Sequence, residues 1–520
     1  MTDVVVIGAG PNGLVAANLA ADAGLDVVVL EEQPEPGGAV RSGELTLPGY
    51  THDMFSAFYP FAAASPVIRG LELERWGLRW RRSPLVLAHP TGEDRAVVLS
   101  QDVEETAASL DAFGAGDGEA WRRLYGAWSK IEEPFMEAFT TPFPPVAAGL
   151  RLARRLGPAG AALLARVAAR SLRRFGQSTF RGPGGPLLMG GNALHADLTP
   201  DTAGSAFFGL VLCGIGQHLG FPVPEGGAGR LTDALVTRLQ AAGGSLRCGS
   251  RADGVLVEGG RAAGVRIAGG EPVPARIAVL ADVGAPQLYR ELLPDDAVPV
   301  RVRLGLRRFR YDYSTIKLDW ALSGAIPWSS PEARRAGTIH VGDSLDFLSE
   351  ATSSIEKGLI PARPFLILGQ YSMADETRAP DGHETAWAYS HVPQVVLGDA
   401  AGRLRGTWDA RELEVFAERM EAEIERLAPG FRDLILGRNV FGPADLERHD
   451  RNLVGGALNG GTAKLRQQVL LRPVPGLGRP ETPVKGLYLA SSSAHPGGGV
   501  HGAPGAIAAR AMLRTIGGES

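Results

Sequence analysis

Cysteine is nearly absent from this chain: 520 residues contain two, Cys213 and Cys248. They match neither a C-x-x-C pair nor a zinc ligand set, so a thiol redox couple and a cysteine metal site are excluded, and two buried thiols in a reducing compartment are expected. Lysine is scarce as well, limited to Lys130, Lys317, Lys357, Lys464 and Lys485. With a net charge of -4 the sequence has no basic excess, which removes nucleic acid as a partner. No apolar run is long enough to cross a bilayer, and no internal repeat is present. The first residues, M-T-D-V-V-V-I-G-A-G, have no basic region and read as a buried strand, so a cytoplasmic location is expected. At 44% hydrophobic and 21% charged residues, the chain suits two or three packed units.

The strongest signal stands at the front. Val4 to Ile7 form a short apolar strand, G-A-G-P-N-G follows with Gly8, Gly10, Pro11, Asn12 and Gly13, and an alanine-rich helix begins there. D-V-V-V-L-E-E then supplies a second strand ending at Glu31 and Glu32. Each glycine has a job: Gly8 permits the tight turn, Gly10 lets backbone approach a pyrophosphate, and Gly13 lets helix pack on strand. The helix N-terminus offers amide donors to phosphates, and Glu31 is spaced to accept from ribose hydroxyls. This arrangement binds a dinucleotide.

After Glu31 comes E-P-G-G-A-V-R-S, with the Gly37-Gly38 doublet and Arg41. At this point the sequence resembles the FAD-dependent phytoene desaturase and flavin amine oxidase superfamily, within it the bacterial phytoene-dehydrogenase-like oxidoreductases. The resemblance implies FAD, held in part by a G-G turn against its ribityl-pyrophosphate. It also implies a second FAD-binding block, and residues 224–244 read as a glycine turn opening an amphipathic helix. Short strands around Gly259-Gly260 follow, with Ala252 matching a backbone contact to adenine, and a further strand ends at Asp282. The expectation is an α/β protein of the amine oxidase/glutathione-reductase type. Residues 1–75, 223–300 and 479–520 build a discontinuous Rossmann-like FAD-binding domain, and residues 76–222 and 301–478 an α+β substrate or cap domain.

Two stretches of the middle stand out. From Pro144 to Arg181 no acidic residue occurs, while Arg151, Arg154, Arg155, Arg166, Arg170, Arg173, Arg174 and Arg181 alternate with Leu, Ala and Val. This is either a surface helix pair of the cap or a peripheral membrane contact that collects a lipophilic substrate. In Y-S-T-I-K-L-D-W, alternation puts Lys317 on the face opposite Ile316, Leu318 and Trp320, where it would ordinarily meet solvent. The resemblance implies another role. In many flavin amine oxidases a substrate-domain lysine, followed about ten residues later by an aromatic such as Trp328 here, holds a water at the flavin and assists reoxidation by oxygen.

Near the end stands A-S-S-S-A-H-P-G-G-G-V-H-G-A-P-G, residues 490–505, followed by a helical A-I-A-A-R-A-M-L. Gly497, Gly499 and Gly502 spell a second GxGxxG, but too little chain follows it for another nucleotide fold. It resembles instead the desaturase turn that holds the flavin ring over a helix N-terminus, with His495, Pro496, Gly498, Gly499 and Val500 as cofactor contacts. His501 stands where relatives carry proline. His501 and His52, the latter beside Phe55, Phe58, Tyr59 and Phe61, are candidate proton acceptors. No residues point to a metal.

The function implied is an FAD-dependent oxidoreductase that takes a hydride from a largely apolar or amphipathic small molecule, forming C=C or C=N, with oxygen or a quinone as final acceptor. Two alternatives share the resemblance: a reduced-FAD-dependent isomerase or saturase of polyenes, and a non-catalytic escort protein of the same fold. Oligomeric state is open.

Overall fold

The computed structural model describes residues 2–92 and 94–518. Met1, Glu93 and residues 519–520, which include the outermost ends of the expected FAD-binding segments, lie outside the described residues. In chain order the elements that position the site are β1 (Val4–Ile7), α1 (Pro11–Asp22), β2 (Val27–Leu30), β3 (Leu85–Pro90), β4 (Ala96–Leu99), α2 (Val146–Ala169), α3 (Ser205–Leu219) and α4 (Gly229–Ala241). They continue with β5 (Ser245–Arg247), β6 (Ala278–Ala281), β7 (Ser314–Leu322), β8 (Ala336–Val341), β9 (Leu366–Gln370), β10 (Glu384–Val392), β11 (Ile435–Phe441), β12 (Leu487–Leu489) and α5 (Ala503–Gly518).

β1 and β2 are short valine-rich runs without a polar face, as expected of parallel strands covered on both sides. They pair in a five-stranded parallel sheet of order β12-β6-β1-β2-β5, assembled from segments more than 450 residues apart in the chain. α1 and α5 pack tightly side by side: a Cβ on Gly505 would stand 1.9 Å from the carbonyl oxygen of Asn12, so only glycine fits there. This glycine serves helix packing and not the cofactor. The antiparallel hairpin Ala252–Glu258/Arg261–Ile267 packs Val255, Ala262 and Val265 against the face of this sheet that carries Val5, Val28 and Val279.

A second sheet has seven strands in the order β11-β7-β10-β9-β8-β3-β4. One face carries Ile316, Leu318, Trp320 and Leu322 into a core shared with Phe416 and Phe431. The other face looks toward α3 and the first domain. Between the sheets a buried ion pair locks the halves together: Arg378, fully buried, donates to Asp53 at 3.0 Å and to Asp375 at 2.8 Å, while Asp53 also accepts from the backbone N–H of Ala228 at 2.7 Å.

α2 is two helices divided at Gly157, where φ is +61, just before Pro158. Its arginines are partly spoken for. Arg151 pairs with Glu137, and Arg155 with Glu133 at 3.1 Å. Among the described residues no helix is long and apolar enough to cross a membrane. Cys213 is buried, but Cys248 is only half-buried, which corrects the expectation of two buried thiols.

Candidate active site

The strand–turn–helix at the front sets the first part of the site. Gly8 has φ +93, and a Cβ there would come within 2.8 Å of the Asp282 carbonyl oxygen. α1 then starts with Pro11 at its first position, where a missing N–H costs nothing. Glu31, at the end of β2, accepts from the Ala9 N–H at 2.7 Å and the Gln33 N–H at 2.9 Å. A carboxylate has about four acceptor sites, so Glu31 is fixed in place with capacity left for hydroxyls. Asp282, at the end of β6, accepts from the Gly13 N–H at 2.8 Å. Burial, with Asp450 and Glu31 nearby, pushes Asp282 up to about 8 against the pull of the Gly13 hydrogen bond. Burial raises Glu31 and Asp450 as well.

From this turn runs one continuous cavity of about 680 Å³. Gly8, Gly10, Pro11 and Asn12 border its start, with Glu31, Glu32, Gly38, Ala252 and Asp282 around them. Farther on it passes His495, Pro496, Gly498, Gly499 and Val500, so both glycine-rich ends of the chain meet on one wall. Three expected cofactor contacts stand behind that wall. The Gly13 amide is taken by Asp282, and Gly37 packs its turn on Val40 and Thr232. Arg41 donates to the carbonyls of Gly38 at 3.0 Å and His449 at 2.7 Å. They shape the turn and do not border the cavity.

Beyond Val500 the cavity opens into a chamber. Its floor is the inner face of the seven-stranded sheet, with Thr315, Lys317, Thr338, Ile367, Trp387 and Tyr389, and its roof is aromatic, with Phe61, Phe139, Phe207 and Phe208. Lys317 is 2% exposed and therefore not the solvent-facing lysine that alternation alone suggests. Its amine pairs with the carboxylate of Asp319, two residues on along the same strand face. Trp328 does not accompany it: this indole lies in the core on the far side of the sheet and donates to Gln370 at 2.9 Å.

The two histidines expected to take a proton from substrate are corrected by the geometry. His52 is fully buried outside the cavity wall, bonded to the Thr46 hydroxyl at 2.7 Å, with its other nitrogen 3.8 Å from Asp319. Burial, with Lys317 and Arg378 close by, pulls it down to about 3. His501 stands behind Phe61 and Phe139, and its Nδ1 accepts from the Ala503 N–H at 3.1 Å, capping α5. Neither ring borders the cavity: Phe61 and Phe139 pack edge-on against His501, and His52 lies beside the Lys317–Asp319 pair.

Among the wall residues that sequence reasoning missed are Asp450, His195 and Arg472. Arg472 donates to the carbonyls of Asn459 at 2.8 Å, Thr462 at 3.0 Å and Ser492 at 2.7 Å, clamping the loop at 459–462 onto the C-terminal turn. Nothing in its local sequence marks it; an arginine is recognisable as a clamp only when distant carbonyls converge on it.

The parallel sheet, the glycine turn, the acid after β2 and the joined chamber define a dinucleotide-dependent oxidoreductase. A profile of the NAD(P)-binding Rossmann-like domain matches residues 6–69. Pyridine nucleotide-disulfide oxidoreductase domain-containing protein 2 of Rattus norvegicus is 29% identical over 99% of this chain and 94% of its own length. The lycopene-forming phytoene desaturase of Pseudescherichia vulneris is 26% identical over 99% of each chain. The solved structure of putrescine oxidase bound to putrescine is 16% identical and matches 99% of each chain with a TM-score of 0.62, a likeness of fold. These likenesses are to FAD-dependent oxidoreductases, the phytoene desaturases by sequence and the flavin amine oxidases by fold. FAD is the cofactor, and the residues fit it: Gly8 and Gly10 bring bare backbone to the cavity edge, a Cβ on Gly10 being excluded by Asp282 at 2.9 Å, and Glu31 keeps free acceptor sites there.

Proposed function

We propose that this FAD-dependent oxidoreductase removes a hydride from a largely apolar small molecule, forming C=C or C=N, and that oxygen or a quinone takes up the electrons. One observation carries the reading: the nucleotide cradle and the aromatic chamber are a single cavity, so a substrate lying between roof and floor shares its space with the cofactor. Bound FAD supplies the two-electron acceptor.

The protein's own part is binding, orientation and exclusion of water. Phe61, Phe139, Phe207 and Phe208 offer a large apolar surface with few rotatable bonds, which holds a lipophilic body and keeps the chamber dry. Lys317 places a cation, balanced by Asp319, on the floor of that dry chamber, where it favours negative charge developing on oxygen as electrons leave the site. With His52 and His501 outside the wall, hydride removal proceeds without either as a base. The same reading takes residues 144–181 as the face that meets a membrane carrying the substrate. Val146 and Leu150 are 64% and 54% exposed, and Ala168 in the second half of α2 borders the cavity.

The test is anaerobic reduction of the FAD-loaded protein with a panel of polyenes, hydroaromatics and amines, followed by admission of oxygen and measurement of peroxide. Bleaching of the flavin absorbance by one class is the expected result. A protein that takes up no FAD, or is bleached by none of them, would refute the proposal.

A further inference from the structure

A row of side chains crosses the chamber floor. Lys317 on β7 lies opposite Tyr389 on β10, Tyr389 opposite Ile367 on β9, and Ile367 opposite His340 on β8. Directly opposed residues share a sheet face, so all four point toward the chamber side. With strands about 4.8 Å apart, Lys317 and His340 mark two ends of the floor separated by about 14 Å. At the far end His340 does not meet the cavity itself. Its Nε2 is 2.9 Å from Nε2 of His195, which borders the chamber after the small helix Gly184–Ala193 and is partly open to it.

The proton positions in this pair follow from packing. His340 Nδ1 has no partner and is pressed against Gly191, where an added Cβ would stand 2.2 Å from it. An unpaired N–H in that place is worse than an unpaired lone pair. His340 therefore carries its proton on Nε2 and donates to His195. His195 in turn keeps its proton on Nδ1, its remaining polar atom, which has no partner among the described residues. Burial pulls His195 down to about 3 and His340 well below its ordinary value, so the pair is neutral. Among the described residues no carboxylate borders this end of the cavity: Glu31, Glu32, Asp282, Glu291 and Asp450 border the nucleotide half, Asp319 is turned to Lys317, and Asp197, two residues beyond His195, accepts from the Thr462 hydroxyl and the Ala463 N–H.

We infer that His195, oriented by His340, is a substrate-binding residue whose Nδ1–H donates to an oxygen acceptor, so that the substrate is an oxygenated lipophile, carbonyl- or hydroxyl-bearing, and not a cationic amine. The inference rests on the proposed reading of the chamber as a substrate site and narrows its substrate class. A neutral N–H donor offers an ammonium group no lone pair and no free carboxylate stands at this end, so only the ring faces of the roof attract a cation, whereas a carbonyl oxygen meets a fixed donor in a dry site.

Three probes with one bicyclic body separate the cases: 2-tetralone, tetralin and 2-aminotetralin, titrated by calorimetry into the FAD-loaded protein. The ketone is expected to bind about ten-fold more tightly than the hydrocarbon, the effect of one well-placed buried hydrogen bond. His195→Phe should erase that advantage while leaving tetralin within about two-fold, and His195→Gln, which keeps an N–H, should retain part of it. His195→Leu replaces the phenylalanine variant if the latter does not load flavin. Tightest binding of the amine, no preference for the ketone in the unaltered protein, or a preference that survives loss of the imidazole overturns the inference. Calorimetry reads binding whether or not any probe reduces the flavin, so failure of the ketone preference and failure of hydride removal appear as separate results.

Discussion

Substituting Lys317 by methionine keeps the length of the side chain and removes its charge, leaving Asp319 alone. Asp319 is fully buried, its Oδ1 is the oxygen that Lys317 holds, its Oδ2 has no partner, and the nearest ring, His52, is neutral. The bare carboxylate has two courses, to stay charged at a cost of several kcal/mol or to take up a proton. The second sets a ceiling. A carboxyl group that ionises near 3.9 in the unfolded chain costs about 1.4 kcal/mol per pH unit to keep protonated, hence about 4 kcal/mol at pH 7 and about 1.5 kcal/mol at pH 5. The sign follows from burial, which already raises Asp319 against the pull of Lys317. With the folded pKa above the unfolded one, the penalty is absent below about 3.9 and grows as pH rises. Urea unfolding of FAD-loaded Lys317→Met at both pH values should show a loss no larger than these figures and smaller at pH 5, and Lys317→Met/Asp319→Asn should recover most of it. The double variant should also bind FAD and be reduced normally yet reoxidise more slowly in oxygen. An equal loss at pH 5 and pH 7, or no recovery in the double variant, would refute the electrostatic argument; unchanged reoxidation would refute the role given to the lysine.

Two further outcomes are expected. His501→Ala removes the acceptor that caps α5 and should cost about 1 kcal/mol in unfolding experiments while leaving the pH dependence of flavin reduction unchanged, whereas a shifted pH profile would restore His501 to the chemistry. Burial pulls His52, His89 and His195 down to about 3, so each is neutral in the folded protein while the unfolded chain takes up a proton near 6.5. The stability they carry is complete above about 6.5 and is lost as pH falls toward 3, at about 1.4 kcal/mol per pH unit for each, and a melting temperature that stays flat between pH 6.5 and pH 4.5 would contradict it.

The nucleotide half was legible in the sequence because its determinants are local. G-A-G-P-N-G forces a turn between an apolar strand and a helix within a dozen residues, and Glu31 follows at the end of the next strand, where its carboxylate reaches the Ala9 amide. The C-terminal turn was legible for the same reason, although Gly505 turned out to serve helix packing. Sequence periodicity also placed Lys317 opposite the Ile316–Trp320 face, but not whether that second face was wet or dry.

Only the tertiary structure decided the rest. His195 and His340 are 145 positions apart, Arg472 reaches carbonyls on two separate loops, and Asp450 joins Asp282 and Glu31 from a third segment. None of these has a sequence neighbour that announces it, since each acquires a role only when strand pairing brings distant groups within hydrogen-bond reach. The same pairing overturned His52 and His501. In sequence they stood among aromatic and glycine residues suited to a pocket wall, and in space other side chains took the wall and left the two rings neutral behind it. The sequence by itself determined that this chain holds a dinucleotide and where; the packing of the second sheet against the aromatic roof decided which polar groups the substrate meets, because that is set by which face of each strand stays dry.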